Sequence, residues 1–239
     1  MSRICILSTL LIRDLFQSLA GIVPLAAALA FGTIAFEYGM DQAQFVTVGG
    51  VGTLALCFLT TLLLASRTNR ASTYLWLGRL RHRAELLVSL ILATFGITMA
   101  LAILITLGNL LADRLSLDWP SALWILPTWL PLLLMAGALG LALSGLVARN
   151  GSHLLGYLLL TGLLVANDRS AMLADRGFQW LAKAVSAILW PLSTLLAHAS
   201  AGAFDRAYFL SGALTLGYAG LLYTLATSLF RTKDLLWSE

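Results

Sequence analysis

The sequence predicts an all-α membrane protein with six transmembrane helices and both ends in the cytoplasm. Three observations predict it. Hydrophobic residues make up 59% of the 239-residue chain and charged residues only 11%, where a soluble domain carries about 25% charged. Six runs meet or approach the roughly 20 apolar residues that a spanning helix needs. The basic residues gather between those runs, where membrane topology puts them. A soluble fold of this size still needs a polar surface, so lipid is the solvent for most of the chain. The net charge of +4 therefore follows topology and does not point to a nucleic-acid partner.

Residues 2–14 form a short amphipathic start that lies in the interface before the first span. The apolar run 4–12 is closed by Arg13 and Asp14, without the small-residue cleavage site of a signal peptide. Spans are expected at 15–36, 45–65, 86–111, 121–148, 151–166 and 207–230, the fifth being short. A further apolar run, 178–199, is interrupted by Lys183 and Pro191. It is expected to dip into the membrane and return, or to lie on it. With no internal repeat or linker, the chain reads as one domain, 1–239.

Orientation follows from the basic residues. With the N-terminus inside, the cytoplasmic set is Arg3, Arg13, Arg67, Arg70, Arg79, Arg81, Arg83, Arg149, Arg231 and Lys233. The outer set is Arg114, Arg169, Arg176, Lys183 and Arg206. Counting 178–199 as a full span would put Arg231 and Lys233 on the wrong side. The one sizeable cytoplasmic loop is 66–85, and the long outer segment is 167–206. In that segment Phe178, Trp180, Leu181, Ala184, Val185, Ile188 and Leu189 have helical spacing. Pro191 breaks the helix, and Asp205 and Arg206 mark the return to water.

The spans carry no Asp, Glu, Lys or Arg, which weighs against a proton-coupled carrier. His82 and His153 fall at the cytoplasmic side and His198 outside, so they do not face one another as ligands of a bundle cofactor would. No phosphate-binding loop is present, since neither Lys183 nor Lys233 follows a glycine. Any ATP used must be bound by another chain. Cys5 and Cys57 read as small apolar residues in buried positions, with no disulfide between them. Ala136, Gly137 and Gly140, and separately Ala213 and Gly217, have the spacing of close helix contacts. They serve either packing within the bundle or a dimer seam.

The layout resembles the permease subunits of type-2 ABC exporters. Those have six spans with both ends cytoplasmic, an interfacial elbow helix, a coupling helix between spans two and three, and an outer hairpin between spans five and six. The stretch Leu11-Ile12-Arg13-Asp14-Leu15 looks like the Arg-Asp-Leu segment before their first span, with Arg13 and Asp14 in the elbow. It is particularly similar to the haem-export permease of cytochrome c maturation. Residues 67–85, through Tyr74, Leu75, Trp76, Leu77, Gly78 and Arg79, look like the loop leading into span three, though without the acid, Gly-Thr pair and proline usual there.

The resemblance implies a bacterial inner-membrane subunit that pairs with a second permease chain, identical or related, and with a separate ATP-binding cassette subunit. ATP and magnesium would be held by that partner and no cofactor by this chain. Further membrane subunits are compatible with it. Contact with the ATP-binding subunit would fall on Arg67, Arg70, Tyr74, Trp76, Arg79, Arg81 and Arg83, with the aromatics as anchors. Alternatively those arginines only hold the loop inside and touch anionic lipid. The outer hairpin, with Trp180, Pro191 and His198, would gate a pathway between two protomers, or would lie on the outer leaflet without gating.

Two other classes remain. Ser144-Gly145 and His198 look like fragments of the serine and histidine motifs of rhomboid-type intramembrane proteases, but Ala142 stands where their glycine belongs. A structural subunit scaffolding a larger complex would equally lack catalytic residues.

Overall fold

The computed structural model describes residues 3–68, 84–116, 119–147, 180 and 189–232. Helix α1, Arg3–Phe16, buries Leu7, Ser8 and Leu15 and exposes Ile6 and Phe16. Its 14 residues reach about 21 Å, short of a bilayer core of about 30 Å. The expected first span began at residue 15, but Leu15 and Phe16 belong to α1. The chain then turns. The Gln17 N–H donates to the Arg13 carbonyl at 2.9 Å and the Ser18 N–H to the Leu15 carbonyl at 3.1 Å. Gly21 makes this turn possible, because a Cβ there would lie 2.7 Å from the Leu15 carbonyl oxygen.

Helix α2, Ile22–Tyr38, ends at Gly39, whose φ of +56° favours glycine. The Asp41 carboxylate then caps Gln42–Gln44 by accepting the Gln44 N–H at 2.7 Å. A π-helical stretch, Phe45–Gly49, leads into α3, Gly50–Thr68. Helix α4, Ala84–Leu111, closes with Asp113 at φ +54°. There the Arg114 N–H donates to the Asn109 carbonyl at 3.0 Å, the left-handed closure that satisfies end carbonyls. Met40 and Leu115 form an isolated parallel bridge that joins the two loops.

Helix α5, Trp119–Leu143, contains Pro127 and Pro131. The expected span ran to 148, but the helix stops at Ser144 and turns through Val147. Helix α6, Trp190–Ser200, has Pro191 in its first turn, where a missing N–H costs nothing. The expected break at Pro191 is therefore a helix start. Helix α7, Arg206–Thr232, follows a corner at Gly202, φ +66°.

Among the described residues, five helices are long and apolar enough to cross a membrane: Leu19–Glu37, Gln42–Thr68, Ala84–Leu111, Ala122–Leu143 and Arg206–Phe230. The chain is a multi-pass membrane protein. The expected fifth span, 151–166, lies outside the described residues, as does most of 167–188. At 11 residues, or about 16 Å, α6 cannot cross.

Helix α5 packs chiefly against α3 and α7, α1 against α4, and α6 against α7. The span through α3 is 72% buried and those through α2 and α7 only 22%, so α3 is central and the other two face outward. Buried residues form two clusters. One, with Phe45, Leu115, Trp129, Leu195 and Tyr208, lies at the Met40 end. The other, with Leu15, Leu64, Leu87, Val147 and Phe230, lies at the Asp14 end. Lipid gives little hydrophobic drive between helices, so close contact and hydrogen bonds hold these clusters.

Candidate functional site

At the Asp14 end, α1 touches both helices that flank the 66–85 loop. The Arg67 Nε–H donates to the Asp14 carboxylate at 2.9 Å. The Ser8 hydroxyl shares its one proton between the Ile4 carbonyl of its own helix at 2.9 Å and the Ser89 carbonyl of α4 at 3.0 Å. One short helix thus ties the end of α3 to the start of α4. The Arg67 side chain is 14% exposed and Asp14 62%, so the arginine stem packs while the carboxylate meets solvent or headgroups. Arg13 is exposed. Arg70, Tyr74, Trp76, Arg79, Arg81 and Arg83 lie outside the described residues.

Sequence reasoning passed over Glu85 as a loop residue. It stands in the first turn of α4, where an acid suits the helix dipole. Its Oε2 is buried with no hydrogen-bond partner among the described residues. The available signal was an acid directly before a long apolar run.

At the Met40 end the α6–α7 corner is held by one carboxylate. Asp205 Oδ1 lies 3.2 Å from His198 Nδ1 and accepts the Tyr208 N–H at 3.0 Å. His198 thereby ties the corner to the α7 cap. Beneath it, Trp124 stacks on Phe204 at 4.3 Å, and Tyr208 meets both rings edge-on. Thr128 Oγ1 lies 2.9 Å from the Tyr208 hydroxyl and 2.7 Å from the Trp124 carbonyl, to which it donates. Tyr208 is therefore the donor to Thr128. Pro191 is buried on α6 and Trp180 is exposed. The structure brings His198 and Pro191 onto one helix and relates neither to Trp180.

The proposed small-residue contacts divide. Ala136 and Gly140 pack inside the bundle, and a Cβ on Gly140 would lie 2.9 Å from Thr61 Cβ. Ala213 is exposed, and a Cβ on Gly217 would meet open space. Cys57 is buried as expected, its thiol donating to the Leu133 carbonyl at 3.3 Å. Cys5 is exposed instead, on an outward face of α1. Ser144 lies beside Leu141 at the Asp14 end, and His198 at the other. The rhomboid-like dyad does not form between them. Among the described residues no group of three His, Cys, Asp or Glu is placed to hold a metal.

Comparison of the chain with protein-family models, with curated proteins and with solved structures gave no match.

Proposed function

We propose that the chain is the membrane-spanning subunit of an ATP-driven exporter of the type-2 ABC class. It forms the translocation pathway as a dimer and couples to a separate ATP-binding subunit through the 66–85 loop. The observation that carries this reading is the double attachment of α1, by Asp14 to Arg67 and by Ser8 to Ser89. A force on the loop reaches both flanking helices, and α1 makes them move as one body. ATP binding beneath the membrane would then shift the population between inward and outward states.

The described flanks also fit six crossings. Val147 packs in the cluster at the Asp14 end and Leu189 in the cluster at the Met40 end. These two residues lie at opposite ends of the bundle, which supports the reading of an additional crossing and a cytoplasmic C-terminus. The short α6 beside the last span suits an outer hairpin. The basic loops favour the bacterial inner membrane with that end inside. The apolar spans favour an amphipathic or lipid-like substrate.

The test is purification from the native host in mild detergent. The expected result is an ATP-binding subunit in about equal amount, lost when Trp76 and the loop arginines are replaced. A protein that emerges alone, or with a complex lacking an ATPase, overturns the reading in favour of a scaffolding subunit.

A further inference from the structure

An apolar groove of about 450 Å³ runs between α2 and α4 on the outward face. Leu25, Leu29 and Phe36 line one wall, and Leu104 and Gly108 the other. From Leu25 to Phe36 it extends about 16 Å along α2. That is the hydrocarbon depth of one leaflet, half of about 30 Å.

The upper end of the groove is charged. The Arg114 guanidinium lies 5.1 Å from the centre of the Phe36 ring, close enough for a cation–π contact. Glu37 follows Phe36, Asp113 precedes Arg114, and all three charged residues are exposed. The Met40 N–H, donating to the Arg114 carbonyl at 3.1 Å, holds the two loops together. The ion pairs among the described residues are Asp14–Arg67 and His198–Asp205, so the rim charges are not consumed by pairing there. Asp41 faces its own cap at Gln44. Asn109 also lines the groove, but its amide nitrogen donates to the Ile105 carbonyl and its Oδ1 is buried, so the headgroup belongs at the rim.

We infer that this groove is a binding site for one zwitterionic phospholipid with a primary ammonium, its acyl chain lying between α2 and α4. Its phosphate meets Arg114 and its ammonium meets Glu37 and Asp113. A purely anionic headgroup would find two carboxylates for one guanidinium. The site does not depend on the transport reading.

The test uses the full chain in nanodiscs holding equal amounts of phosphatidylethanolamine, phosphatidylglycerol and phosphatidylcholine. Lipid retained after detergent extraction is identified by mass spectrometry. The expected result is preferential retention of phosphatidylethanolamine. Gly108→Leu plugs the groove. A Cβ at Gly108 meets nothing within 4 Å, and leucine favours the helix, so the variant keeps its fold. It should retain about tenfold less lipid. Arg114→Gln should abolish the headgroup preference. Retention unchanged in Gly108→Leu, or equal retention of the three lipids by the unaltered chain, overturns the site. Efficient disulfide crosslinking between two chains carrying Leu29→Cys and Leu104→Cys in native membranes would overturn it too, by assigning the groove to a second copy.

Discussion

The Asp14 carboxylate accepts its 2.9 Å hydrogen bond from an arginine 53 residues away, Arg67. The two partners are unequal: Arg67 is largely covered and Asp14 largely open. A pair with one exposed member is worth about 0.2–1 kcal/mol. Asp14→Ala should therefore lower the unfolding midpoint in detergent only slightly. Arg67→Ala should lower it more, because the packed stem is lost as well. Equal effects, or the reverse order, would show that the stem does not contribute.

Gly140 sets how closely α5 approaches α3. A methyl at this position would come 2.9 Å from Thr61 Cβ and 3.4 Å from the Phe58 carbonyl oxygen. Gly140→Ala should destabilise by about 1–3 kcal/mol through overpacking. Gly217→Ala, at an open position, should be neutral or slightly stabilising. Denaturant titration of both variants checks the contrast.

Buried hydroxyls differ in sign. Tyr208 donates to Thr128 at 2.9 Å, so Tyr208→Phe should cost about 0.6 kcal/mol, as membrane hydrogen bonds average. Thr94 is 1% exposed, and its Oγ1 has no partner among the described residues. Thr94→Val replaces an unsatisfied group with a methyl and should be neutral or stabilising. A loss on Thr94→Val comparable to that on Tyr208→Phe would mean that Thr94 is bonded in the membrane.

Asp113 takes φ +54° at the end of α4, a conformation that suits glycine better than a residue with Cβ. Asp113→Gly should raise stability by at most about 1–2 kcal/mol, read as an upward shift of the unfolding midpoint. A drop would assign the carboxylate a local interaction larger than the backbone gain.

Span positions were legible because a long apolar run has few alternatives in lipid. Span ends were less so. Leu15 and Phe16 continue the apolar run, yet the chain turns after them, a turn that the missing Cβ of Gly21 permits. The fourth span overran because the residues after Leu143 (Gly145, Leu146, Val147) carry no charge, and hydropathy does not register the bend at Ser144. Arg13 and Asp14 were legible as polar residues ahead of the first long apolar helix. That Asp14 reaches Arg67, and that His198 shares Asp205 with the α7 cap, depends on how distant helices pack. No residue spacing encodes either. The Phe36–Arg114 contact is of the same kind, made between the last turn of α2 and the loop after α4.

The π turn at Phe45–Gly49 holds one residue more than an α turn would. At its end and just beyond, Gly49 and Gly50 face the Trp129 indole. Upstream, Asp41 caps and Met40 pairs with Leu115. Deleting one residue from the turn would keep the downstream half in place and rotate the upstream half by about 100°. The Met40 loop would then swing away from its partner, and Phe45 and Val46, both buried in the turn, would have to repack. This surplus residue works as an angular adjuster, and a change in chain length there would re-aim one rim of the protein at the expense of the packing around Trp129.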